Sequence, residues 1–100
     1  MRMFCFALMV KPLPSNPEFG HATGGMAYVY VYDSDPRKAS ERATQHLESN
    51  FWQIIKLDDG GEALENNCTT DSQKALFSQA KTHGLSYVVV LDRPGAPRFN

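Results

Sequence analysis

The residues of this chain best suited to chemistry are scattered rather than gathered. "GHATGG", residues 20–25, sets His21 and Thr23 beside two adjacent glycines, a composition that can form an anion nest with a titratable neighbour. A phosphate loop runs from a strand into a helix, however, and this segment leads into a strand, so the glycines are read as serving loop geometry. Cys68 stands just before a helix start, where thiolate character is favoured, but no histidine is adjacent to it in sequence. Cys5 lies in an apolar run and reads as a small hydrophobe. Asp58, Asp59 and Glu62 crowd one short segment without the spacing of a calcium loop, which makes them a solvated turn. His46 falls on the inner stripe of a helix, and His83 at the end of another, where a cation meets free carbonyls. No catalytic residue, metal site or cofactor is assigned from these groups.

A different pattern carries more. "AYVYVYD" places Tyr28, Tyr30 and Tyr32 at every second position, on one side of a strand, with Ala27, Val29 and Val31 on the other. The "DSDP" that follows is explained by capping, with Asp35 accepting free amide hydrogens of the first helical turn and Pro36, which has none to donate, at its first position. That helix runs to about Asn50, with Ala39, Ala43, His46 and Leu47 on one stripe, and Asn50 is expected to take the left-handed turn that ends it.

The remaining elements follow from the same rules. "FWQIIKLD" reads as a strand with Ile55 and Leu57 toward the helices and Trp52 and Ile54 on the open side. "DDGG" is a hairpin turn signal, with "EALENNC" as the returning strand. Thr70 and Gln73 match a capping box for a second helix that turns Leu76, Phe77 and Ala80 inward and stops at Gly84. "LSYVVVLD" is a strand apolar on both sides. Three prolines and three glycines make residues 12–25 a long loop, and residues 93–100 a polar tail.

The chain has 100 residues, enough for one domain only, and 42% of them are hydrophobic. Ten Lys and Arg stand against 11 Asp and Glu, a net charge of −1, and they form no basic stripe of the kind that reads a phosphate backbone. The expected partners therefore include neither nucleic acid nor membrane. Two cysteines with no framework spacing suit a reducing compartment. "MRMFCFALMV" imitates a secretory leader, yet it is short, is followed by Lys11 and Pro12, and lacks a cleavage site, so residues 2–11 are read as a buried strand of a soluble cytoplasmic protein.

Residues 26–92 thus read strand, helix, strand, strand, helix, strand. In that order the sequence resembles the ferredoxin-like superfold, and "AYVYVYDSDPRKASERA", "FWQIIKL" and "AKTHGLSYVVVLD" are similar to small bacterial proteins of that fold. The resemblance implies an α+β, βαββαβ antiparallel sheet with both helices on one face and brings no catalytic residues with it, and the apolar run at residues 2–11 adds an extra N-terminal strand. On that fold Tyr28, Tyr30, Tyr32, Trp52 and Ile54 would line an open face. Such a patch calls for a cover, and the expected function is a non-catalytic homodimeric assembly or regulatory, partner-binding module that uses it. The alternative is a small dimeric enzyme or small-molecule binder with a pocket near the 12–25 loop and His21, its ligand unknown. An RNA-binding reading of "YVYVY" ranks below both, because "EALENNC" is neither basic nor aromatic.

Overall fold

The computed structural model describes residues 1–92, so the expected tail at 93–100 lies outside the described residues. The elements are β1 (Arg2–Pro12), β2 (Gly24–Asp33), α1 (Pro36–Ser49), β3 (Trp52–Glu62), a 3-10 turn (Glu65–Asn67), α2 (Asp71–His83) and β4 (Leu85–Asp92). They form an α+β domain with one antiparallel four-stranded sheet in the order β3-β1-β2-β4.

The N-terminal strand is therefore not an addition to a finished core. β1 pairs with β2 from Arg2↔Asp33 to Val10↔Gly25 on one side, and with β3 from Phe4↔Glu62 to Pro12↔Trp52 on the other. A run apolar at nearly every position suits a central strand, both of whose sides face protein. Phe4, Phe6, Leu8 and Val10 enter one core with Ala27, Val29 and Val31 of β2, Ala39, Ala43 and Leu47 of α1, and Trp52. On the reverse side Met3 and Cys5 join Tyr30, Tyr32, Cys68, Leu76, Phe77 and Ala80.

These two clusters place α1 and α2 on opposite faces of the sheet, contrary to the expected single helical layer. The cause is at "DDGG", which does not turn. A primed hairpin turn needs positive φ, and among the described glycines only Gly20 and Gly84 have it. Gly60 instead lies flat beneath the Phe6 ring, where a Cβ would come within 2.7 Å of a ring carbon. The eleven-residue β1 supplies partners beyond the aspartates, and β3 runs on to Glu62. "EALENNC" then forms a 3-10 turn and loop rather than a strand. β4 runs antiparallel to β2, as it would on the expected fold, but without the returning strand α2 crosses the second face.

β3 also departs from simple alternation. Bulges between Ala7/Leu8 and between Met9/Val10 insert Asp58 and Ile55 without partners, and each shifts the side-chain phase by one. Trp52 and Ile54 consequently pack on the α1 side, the reverse of the expected assignment, while Ile55 is an unpaired bulge residue 51% exposed and Leu57, opposite Leu8 on the α1 side as expected, is 52% exposed at the sheet edge.

Capping follows expectation in large part. Asp35 accepts from Arg37 N at 2.8 Å, Thr70 and Gln73 close a capping box, and Gly84 ends α2 at φ 94°. Asp33 braces the same corner as Asp35, accepting from the Ser34 amide at 2.7 Å and from Arg42 at 3.1 Å, while Arg42 also donates to the carbonyls of Tyr32 and Gly84. At the end of α1 the left-handed residue is Phe51, φ 62°, and not Asn50, φ −99°. Asn50 turns its amide back to the His46 carbonyl, and the Phe51 carbonyl accepts from the Leu13 amide and the buried Asn16 side chain, which anchors the 12–25 loop.

Two predictions follow from these corners. Phe51→Gly should stabilise the fold by roughly 0.5–1 kcal/mol, the relief of a left-handed Phe less the added unfolded-state entropy, and Phe51→Val should destabilise it, both read by denaturant unfolding. The Asp33 carboxyl is held below its ordinary value of 3.8, first by the Asp35 amide and then by Arg42. Its contribution is present above 3.8 and is lost as pH falls through the lower folded value, so the gap in melting temperature between wild type and Asp33→Asn should close on acidification.

Candidate interaction surface

The tyrosine side of β2 is only partly covered. α2 lies over the half of this face that holds Met3, Tyr30, Tyr32 and Ser86, and the Ser86 hydroxyl donates to the Leu76 carbonyl. Tyr30 is 6% exposed, its ring edge-on to Phe77 at 6.5 Å, and its hydroxyl lies near the thiols of Cys5 and Cys68. It is a pillar under α2 rather than part of an open surface. Cys68, which sequence context marked as a possible thiolate, is buried and reaches the Leu64 carbonyl.

The register shows what remains uncovered. Residues opposite one another in an antiparallel ladder share a face, so two rows cross the sheet. One runs Asp59, Ala7, Tyr28, Val88 and the other Lys56, Met9, Met26, Val90. Tyr28 is 39% exposed and Val90 59%, with Met9 and Val88 similar to Tyr28. Charge sits at the β3 end of each row, and apolar side chains fill the rest out to β4.

Two hollows open where these rows meet the first turn of α2. One of about 340 Å³ is lined by Cys5, Ala7, Tyr28, Tyr30, Asp59 and Gln73, among others, and one of about 290 Å³ by Tyr28, Tyr30, Gln73, Leu76, Val88 and Val90, among others. Tyr28, Tyr30 and Gln73 are common to both, which makes them two ends of one groove. Its polar end carries Asp59 and its apolar end the valines of β4.

Of the six residues picked from sequence, the structure gathers only the tyrosines, and of these Tyr28 alone stands at the surface. Trp52 and Ile54 belong to the opposite core. His21 is exposed on the loop, away from the groove, and the backbone amides around it are already committed: those of His21 and Ala22 to the Glu18 carbonyl, that of Thr23 to Asp92. That accounting leaves no nest for an anion. His46 stands edge-on to Tyr87 at 5.2 Å on the α1 side. Sequence reasoning missed Met9, Met26, Val88, Val90 and Gln73. Val88 and Val90 were legible as one side of β4, but Met9 and Met26 become neighbours of that side only through the central position of β1. Among the described residues no three His, Cys, Asp or Glu side chains gather as metal ligands, and no helix is long and apolar enough to cross a membrane.

Compared with protein families, curated proteins and solved structures, the chain has no significant match in any of the three.

Burial pushes the Cys5 thiol above its ordinary 9.0 and the Tyr30 hydroxyl above its ordinary 10.0. Both groups then favour the folded state at neutral pH, and this stability is lost as pH rises from those values through the higher folded ones. Tyr30→Phe should flatten the alkaline fall in stability, measured by denaturant titrations at stepped pH, and an unchanged slope would place the phenol in contact with solvent.

Proposed function

We propose that this chain is a non-catalytic interaction module that binds other protein through the uncovered half of its sheet. The observation that carries the reading is the pair of rows Ala7–Tyr28–Val88 and Met9–Met26–Val90, apolar and half open on one face while the other face is closed by α1. Contiguous exposed apolar surface on a small domain marks a contact site, and an apolar centre beside the charged rim of Asp59 and Lys56 matches the anatomy of one. The groove's titratable groups fit recognition better than turnover. Tyr30 and Cys5 are held protonated, and Asp59 and Glu62 are exposed carboxylates on an edge strand.

A second reading, a small-molecule binder, is favoured by one feature, the meeting of both hollows at Gln73 between Tyr28 and Tyr30, at volumes near the lower end of the usual range for ligand sites. It places a ligand under the start of α2 and not near the 12–25 loop, because His21, Tyr30 and Trp52 stand in three separate environments. Kinship with the ferredoxin-like superfold is supported by the β2–α1–β3 unit, two strands that run the same way with one antiparallel strand between them.

The test is the double variant Met9→Asp/Val90→Asp. It should abolish binding of a hydrophobic dye and any self-association seen by light scattering, with unfolding free energy changed by no more than about 0.5 kcal/mol, as for exposed sites generally. Dye binding and mass identical to wild type would remove this face from consideration, whereas dye binding lost only in Gln73→Ala would favour the ligand reading.

A further inference from the structure

The two edges of the sheet are built differently. β3 carries two bulges, the Lys56–Asp58 ion pair at 3.7 Å, Asp59, and the Arg2–Glu62 pair at 3.3 Å. Bulges and charges are the usual devices that keep an edge from pairing with another chain. β4 has no bulge, and its one charge is Asp92 at its end. It pairs with β2 without a break from Leu85↔Val31 to Asp92↔Gly24, and no charged residue occurs between Leu85 and Leu91. Among the described residues no strand lies on its outer side.

We propose that a second copy of this chain occupies the β4 edge, strand to strand and antiparallel about a two-fold axis through Val88, joining two four-stranded sheets into one. The proposal deepens the interaction reading by naming a partner, and it rests on that reading for the use of the merged face. Opposed residues must share a face, so the axis passes through a residue and not between two. An axis at Val88 uses the whole strand. Leu85 meets the second copy's Leu91, Tyr87 its Val89, and Ser86 its Val90, which covers the outer flank of the half-buried side chains that β4 adds to the α1 core.

Charge selects the same register. Asp92 arrives opposite the second copy's Gly84, just past the end of its β4, where its exposed carboxylate meets no buried side chain. An axis at Val89 would set Asp92 against Ser86, which is buried and whose hydroxyl is already committed to Leu76. Pairing about Val88 also joins the two open faces into one apolar band, Tyr28–Val88 meeting Val88–Tyr28, with Lys56 and Asp59 of each copy at its far ends.

Sedimentation of the wild type over micromolar to millimolar concentrations should show twice the chain mass of 11.2 kDa, and a monomer throughout would overturn the proposal. Mild oxidation of Val88→Cys should give a covalent dimer in high yield, because opposed residues of such a ladder stand about 4.5–5.5 Å apart at Cα, within disulfide reach. Val90→Cys, displaced from its own copy along the strand, should stay uncrosslinked like the wild type, and circular dichroism confirms that both variants fold. Equal crosslinking of the two, or none in a chain that still sediments as a dimer, would place the contact elsewhere and overturn the β4 pairing. A chain ending at Asp92 that dimerises while the full chain does not would assign the edge to residues 93–100 instead. Dye binding by a monomer, lost in Met9→Asp/Val90→Asp, would overturn this proposal while leaving the interaction reading in place.

Discussion

Everything in this domain depends on β1 being hydrogen-bonded along both of its edges. A central strand must find apolar neighbours above and below, and β1 meets that demand with phenylalanines, leucine and valine toward α1 and with Met3, Cys5, Ala7 and Met9 on the reverse. Because it is as long as any strand in the sheet, it acts as a template, holding β3 extended through two aspartates and two glycines that in isolation favour a turn. Local propensity gives way there to a ladder of backbone hydrogen bonds already in place.

The direction of β3 then decides the location of α2. Had the chain reversed at Asp58–Gly61, α2 would have crossed back beside α1 on the same face, with the last strand running in the direction it has now. Running straight, β3 delivers the chain to the end of the sheet where β1 begins, shown by the Ala63 amide donating to the Met3 carbonyl. From there the connection crosses the tyrosine face, Cys68 and Phe77 settle over Tyr30, and Gly84 turns the chain into β4. A helix of 13 residues covers only part of the face. The open half and its groove are thus by-products of one turn that does not form.

Arg42 links this arrangement to the other layer. From α1 it reaches the end of β2 through Tyr32 and Asp33 and the start of β4 through Gly84, so the two helices, which lie on opposite faces, are coupled at one corner of the sheet. The same corner lies at the beginning of the undefended edge, and Arg42 ties to it partners nine, ten and 42 residues away along the chain.

Much of this was legible in the sequence because it is local. The phase of β2, the Asp35–Pro36 and Thr70–Gln73 caps, the inward residues of both helices, the stop at Gly84 and the alternation of β4 each depend on residues within a turn or a strand of one another, where hydrogen bonding and side-chain period act directly. The double-sided burial of β1 was legible too, from its lack of alternation. Its place at the centre was not, since a strand's partners are set by contacts tens of residues away. Nor were the bulges that turned Trp52 and Ile54 onto the α1 side, the missing turn at Gly60, or the shift of left-handed geometry from Asn50 to Phe51. In each of these a strong local preference was overruled by long-range pairing or packing. The interaction surface belongs wholly to that second kind: its tyrosines are written in one strand, but which of them is exposed, and what stands beside it, follows from the order of strands and the face that α2 crosses.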